Sequence, residues 1–386
     1  MFDIDIIIPC YRKSEDIDRT LASIVCQWKR EFAHVTLVND CCPYTDCNYQ
    51  DLVDRYKDYI DIQVLTMPKN SGQGMARQFG VDNTSNDWFM FIDDDDMLGN
   101  GLALSRIIGS VESYKYELNE DDFFILDDNG EKILKEDQPE VAVVCAPLFE
   151  FSDYVSKTID SGNRIFVMSK LYNRKFIEKH NIRFTEDNSR FAEDYYYETC
   201  LFYCLDHDDE YTPLYLDDEG LYYLWYPSDS ANREDPNYSY MTAGYAMNSA
   251  KNILKFIRNC KSVEWNEITE QDYLDKLLFN TVFSYYTIQT FVTHVRESDY
   301  IPSEEDWERL RNACRWLRNT LKMYYDRFSY MRVIKELIDV KETSDVMYTE
   351  PWYTFEDYMD EEVEELNWSY DDLLGCKPTE KHNITL

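Results

Sequence analysis

The chain has 386 residues, 44% of them hydrophobic, with 32 Tyr and 20 Phe, enough for two domains or one large domain with an appendage. Acids outnumber Lys and Arg 75 to 39 and the formal charge is −36, which argues against a partner gripped mainly through phosphates, such as nucleic acid or an anionic membrane. No apolar window approaches membrane-spanning length, and the opening "MFDIDIIIPCYRK" is acidic where a secretory leader is basic, so a cytoplasmic location with reduced cysteines is expected.

The first hundred residues alternate between two periodicities. "DIDIIIP" (3–9) predicts a buried strand. "SEDIDRTLASIVCQW" (14–28) predicts a helix, with Ser14 as N-cap and Ile17, Leu21, Ile24 and Trp28 on one face. Strands are then expected at 34–40, 61–67 and 87–93, and helices at 49–59 and 72–84. Continuous apolar strands separated by helices imply an α/β fold: a mostly parallel central sheet, Rossmann-like, covered by helices on both faces. Ligands of such sheets bind beyond the carboxyl ends of the strands, where Asp40 and Asp93–Asp96 would lie.

Further along, a helix is expected over 102–116. "FFILDDNGEKIL" (123–134) predicts a hairpin, with Asn129-Gly130 favouring a type I′ turn. A strand is expected at 141–151 and helices at 169–182 and 190–205. From about 240 the pattern is helical, and residues 355–374 form an acidic tail. The boundaries drawn are a domain over 1–238, its nucleotide-binding half about 1–100 and its acceptor half about 140–238, and a helical C-terminal domain over 239–386.

The stretch "WFMFIDDDDML" carries the sharpest question, because four adjacent carboxylates repel one another unless a positive charge sits among them. An EF-hand is excluded: counted from Asp93, the positions requiring Gly and Glu hold Leu98 and Leu104. A Mg²⁺ or Mn²⁺ site serving a diphosphate suits the carboxylates better, with Asp93 and Asp95 as sharers. "GQGMAR" (72–77) follows a strand and opens a helix, but Arg77 stands where a dinucleotide fingerprint needs its third glycine. Its helix-terminal amides and Arg77 are read as lying near a diphosphate or near the acids; Arg77 as a purely structural neutraliser is the competing reading. Glu193-Asp194 starts an aromatic helix, where a pair of acids also favours the helix N-terminus.

Taken in order, these segments resemble family 2 glycosyltransferases, inverting enzymes of the GT-A fold. "IDIIIPCYRK" is similar to the family's opening strand, and "TLVNDCCPYTD" to its Val-Asp-Asp-Gly-Ser segment, with Asn39 for the first Asp and Asp40 for the second. "KNSGQGMARQFG" and "FIDDDDML" are similar to the Asn-x-Gly-x-x-x-Ala-Arg-Asn and Asp-x-Asp-Asp segments, with Gln78 for the second Asn. "KLYNRKF" to "FAEDYYY" is similar to the stretch leading to the family's Glu-Asp pair. The likeness covers residues 1–230.

The resemblance implies roles. Pro9 and Tyr11 would shape the nucleotide pocket, Asp40 would hydrogen-bond the base (commonly uracil), Asp93 and Asp94 would lie by the ribose and diphosphate with Arg77, and Asp95 would hold Mn²⁺ or Mg²⁺. Asp194 would be the general base. The donor would be a nucleoside-diphosphate sugar, UDP-linked, and the acceptor a hydroxyl of a glycan, lipid-linked or protein-linked, in polysaccharide biosynthesis. The helical C-terminal region is left open to an acceptor, a partner or a second subunit. Two alternatives stay open: a phage-type transferase acting on a hydroxylated DNA base, and a non-catalytic sugar-nucleotide-binding module.

Overall fold

The structure, a computed structural model, describes residues 2–217 apart from 12–13, 44–47, 153–155, 160, 163, 165 and 187–192, together with 222–226 and positions between 249 and 260. The chain divides into two compact units, Met1–Ser228 and Asp229–Leu386. In the second unit the described residues between 249 and 259 are helical, and the rest of the expected helical region and acidic tail lies outside the described residues. No helix among the described residues is long and apolar enough to cross a membrane.

The first unit is built on a seven-stranded sheet. β1 (Ile4–Cys10) is buried at every position, because helices cover it on both sides. It pairs in parallel with β2 (Ala33–Asn39), which pairs in parallel with β3 (Asp61–Thr66), while β4 (Trp88–Phe91) lies parallel on the other flank of β1. Between them run α1 (Ser14–Val25), α2 (Tyr49–Tyr56) and α3 (Gln73–Asp82). The chain steps outward from β1 to β3, then crosses back over the sheet to β4. That reversal opens a crevice beyond the carboxyl ends of β1 and β4. β6 (Glu140–Cys145), β9 (Lys170–Asn173) and β10 (Tyr211–Tyr215) complete the order β10-β6-β9-β4-β1-β2-β3, with β9 antiparallel to both neighbours. A second, four-stranded sheet has the order β5-β11-β7-β8: β5 is Met97–Leu98, β7 Leu148–Ser152, β8 Ser156–Ile159 and β11 Tyr222–Tyr226.

Several sequence expectations are corrected. α1 ends at Val25, and Trp28 is 69% exposed, not on the core face with Ile17, Leu21 and Ile24. The Trp28 amide donates to the Gly101 carbonyl at 2.7 Å and Lys29 follows in the left-handed region, which turns the chain off the helix axis. The side chain of Ser14 lies outside the described residues. The strand expected at 141–151 is two strands in different sheets, broken at Ala146-Pro147, where the Ala146 amide bonds the Ser169 carbonyl. The helix expected at 169–182 is β9 followed by α5 (Arg174–Lys179), because Asn173 caps α5 by accepting the Lys175 amide at 3.0 Å. In the first unit the helix expected at 190–205 is α6, Glu193–Leu205.

The segment after α4 (Ala103–Lys115) is not a simple hairpin. Tyr116-Glu117-Leu118, Phe124-Ile125-Leu126 and Lys132-Ile133-Leu134 recur eight residues apart. Their bridges form a ring: Leu118 with Phe124, Leu126 with Lys132, and Leu134 with Tyr116. The central amides close the same ring, Glu117 to the Ile133 carbonyl, Ile133 to that of Ile125, and Ile125 to that of Glu117 (2.8, 3.0 and 2.9 Å). The linking turns repeat too. Asn119 Oδ1 accepts the amides of Asp121 and Phe123, and Asp127 Oδ1 those of Asn129 and Glu131. This side-chain bonding replaces the expected type I′ turn: the turn runs Asp127–Gly130, and of Asn129 and Gly130 only Gly130 has a positive φ (80°).

Candidate functional site

β4 is a run of four large apolar residues, and the acids begin where it stops. Asp93–Asp96 form a tight turn closed by the Asp96 amide on the Asp93 carbonyl at 3.1 Å. α1 holds the remaining carbonyls. Arg19 Nη2 donates to Asp95 O at 2.8 Å, and the Thr20 hydroxyl donates to Asp96 O at 2.7 Å and lies 3.1 Å from Asp94 O. Asp93, Asp94 and Asp95 are half-buried, whereas Asp96 is buried and accepts the Tyr222 hydroxyl at 2.8 Å.

Two guanidiniums stand beside the acids: Arg19 on the backbone of the turn and Arg77 on the carboxylate of Asp93. The Arg77 side chain is 1% exposed and lies on α3 with its guanidinium 5.9 Å from the Phe91 ring centre. Nη2 donates to Asp93 at 2.7 Å, and Nη1 to Asp194 at 2.6 Å and to Glu193 at 3.4 Å. Nε is buried without a hydrogen-bond partner among the described residues. Burial opposes the charge on Arg77, but Asp194, Asp93 and Glu193 more than offset this and hold its pKa well above the ordinary value. Glu193 and Asp194 are both pushed upward, chiefly by burial, with Arg77 pulling them back.

Local packing makes this junction. Gly74, one turn before Arg77, has no Cβ, and one placed there would lie 3.1 Å from Glu193 Cβ. The close approach of α6 to α3 brings Glu193-Asp194 to Arg77, in the first turn of α6, where carboxylates complement the helix dipole. From below, Glu198 of the same helix is held by Lys170 Nζ at 3.0 Å and the Tyr172 hydroxyl at 2.7 Å. Arg174 binds Asp5, Thr84 and the carbonyls of Val81 and Asn86, tying α5 to the amino ends of the strands. The "KLYNR" stretch thus acts as scaffold.

Asp40 follows β2, and its two carboxylate oxygens accept the Ser71 and Gly72 amides at 2.7 and 2.8 Å. Gly72 has φ 89°, a conformation that glycine adopts without cost. The amides leading into α3, expected near a diphosphate, therefore bond Asp40. Asn39 Oδ1 accepts the Cys42 amide at 2.8 Å. Pro9 is buried near the end of β1, and Tyr11, 38% exposed, stands just beyond it. The fold thus joins Arg77, Asp93 and Asp194 directly, and sets Pro9, Tyr11, Asp40, Asp94 and Asp95 along the same carboxyl edge of the sheet. Sequence reasoning missed Arg19, Thr20 and Tyr222. Thr20 carried a signal, since a polar residue on the apolar face of Ile17, Leu21 and Ile24 needs a buried partner.

The donors at the acidic turn are all carboxylate or carbonyl oxygens, and Arg77 brings one positive charge to three carboxylates. That chemistry fits a hard divalent cation.

A family model described as glycosyl transferase family 2 matches residues 5–184. No curated protein matches by sequence. Among solved structures, S. aureus TarS residues 1–349 in complex with UDP-GlcNAc aligns at a TM-score of 0.55 and 15% identity, covering 82% of this chain and 81% of that one. The same TarS fragment with UDP aligns at 0.51 and 15%, covering 76% and 81%. At these identities the likeness shows the fold. The matched segment runs from Asp5 in β1 to Phe184, just before the helix carrying Asp194, and takes in Asp40, Arg77 and the Asp93–Asp96 turn; over that segment the chain is similar to glycosyl transferase family 2, and the molecule is a glycosyltransferase with the GT-A fold.

Proposed function

We propose that this nucleotide-sugar glycosyltransferase takes a UDP-linked sugar and passes it, with inversion, to a hydroxyl of a glycan, lipid-linked or protein-linked acceptor. The reading is carried by Arg77, which bonds Asp93 of the acidic turn and Asp194 of α6 at once and so joins the donor side of the crevice to the acceptor side. Asp194 is the base: its carboxylate takes the proton from the acceptor hydroxyl as that oxygen attacks the anomeric carbon. Arg77 keeps Asp194 oriented and ionised against the burial that favours its protonated form. Asp95, with Asp93 and Asp94 beside it, holds Mn²⁺ or Mg²⁺, which when bound offsets the charge of the leaving diphosphate. Asp40 braces the loop entering α3 and offers its remaining lone pairs to the base, while Pro9 and Tyr11 wall the nucleotide pocket. The charge of −36 favours a glycan over DNA as acceptor.

Calorimetric titration of UDP and GDP with and without Mn²⁺, on wild type and Asp95→Asn, tests the donor half. Cation-dependent UDP binding that Asp95→Asn loses is expected; wild type with no cation dependence overturns it. For the acceptor half, Asp194→Asn should lower turnover about a hundred- to ten-thousandfold with UDP affinity retained. Full turnover in that variant removes Asp194 from the role.

A further inference from the structure

We propose that Tyr222 is a positioning residue that, with Thr20, sets the shape of the Asp93–Asp96 turn for its cation. The inference rests on the reading of that turn as the cation site. Tyr222 is 1% exposed and opens β11, which lies between β5 and β7 in the second sheet. Its hydroxyl donates to Asp96 Oδ2 at 2.8 Å and accepts the Asp93 amide at 3.3 Å. One phenol has one proton and spare lone pairs, so both bonds coexist. They grip the first and last residues of the turn.

Thr20, fully buried on α1, holds the backbone of the turn: its hydroxyl donates to the Asp96 carbonyl at 2.7 Å, with the Asp94 carbonyl 3.1 Å away. The four carboxylates are thereby sorted. Asp93 is drawn to Arg77, Asp96 is turned into the protein toward Tyr222, and Asp94 and Asp95 form the apex. Asp96 is thus a strut of the turn, not a ligand. A small cation binds well only when its oxygens are already in place, and groups that orient the ligands set much of the affinity.

Tyr222→Phe removes one oxygen and leaves the ring. The experiment measures UDP affinity by calorimetry with and without Mn²⁺, and thermal stability, for wild type, Tyr222→Phe, Thr20→Val and Thr20→Ser. Tyr222→Phe and Thr20→Val should each cut the Mn²⁺-dependent gain in UDP affinity about 10- to 100-fold, with the Mn²⁺-free affinity unchanged. Thr20→Ser, which keeps the hydroxyl, should retain the gain. A wild-type gain in Tyr222→Phe overturns the proposal. So does a parallel loss of stability and of affinity in both conditions, which marks a merely structural contact. Should Tyr222→Phe fail to fold, the two Thr20 variants decide by the same readout. If wild type itself shows no Mn²⁺-dependent gain, the cation reading fails, and this inference with it; a wild-type gain kept by the variants refutes the positioning role alone.

Discussion

Arg77 meets Asp93, Asp194 and Glu193 within 3.4 Å while almost wholly buried. Taking away such a cation strands three largely buried carboxylates beside one another, which costs about 3–5 kcal/mol. Arg77→Met should therefore lower the urea unfolding free energy by about that amount, and Asp194→Asn, which removes one of the excess acids, should lower it far less. Equal losses in the two variants would show that Arg77 is not the hub. At this scale the chain was half legible. The apolar strand running into four acids announced a site, and Arg77 was recognisable as a cation near them. Its partners were not, because the contact with Glu193-Asp194 joins segments more than a hundred residues apart. Tyr222 was invisible for the same reason: nothing in "LYYLWY" distinguishes one tyrosine from the next.

Among the elements, α3 packs tightly on the sheet at Gly80. A Cβ on Gly80 would lie 2.4 Å from Ile7 Cγ2 and 3.2 Å from Val38 Cγ2. Ile7 is β-branched and locked in β1, so it has little room to turn aside. Gly80→Ala gains about 1 kcal/mol of helix propensity but overpacks this contact, for a net loss of about 1–2 kcal/mol. Gly109 of α4 is the contrast, since a Cβ there meets nothing within 4 Å. Gly109→Ala should stabilise by about 0.5–1 kcal/mol. Opposite signs in chemical denaturation would confirm the asymmetry; matching signs would refute it. The four parallel strands and three helices of the first hundred residues were legible because their periodicities are long and clean. β9 was read as part of a helix because Lys170–Asn173 is short, and its pairing with β4 and β6 comes from distant segments. β5, two residues long, carries no period at all.

For the whole molecule, the net charge of −36 sets a repulsion that folding must overcome. Raising NaCl from about 10 mM to about 0.5 M shortens the screening length severalfold. The melting temperature should rise on the order of a few degrees, and a fall would mean that the surface ion pairs outweigh the repulsion. The mostly parallel α/β sheet was legible from the strand–helix order, and the GT-A architecture from the resemblance carried by the motifs. The second sheet was not, because β5, the neighbouring pair β7 and β8, and β11 come from three separate places in the chain.

The three-cornered ring between α4 and β6 has its own consequence. Each of its short strands is bonded to both others, and its entrance and exit meet where the Lys135 amide donates to the Lys115 carbonyl at 3.0 Å. A segment whose two ends already touch is a cassette. Replacing residues 116–134 by a short turn should leave the rest of the unit folded, at the cost of the Lys132–Glu112 ion pair (2.8 Å) on α4, and a lost cooperative melting transition would refute it.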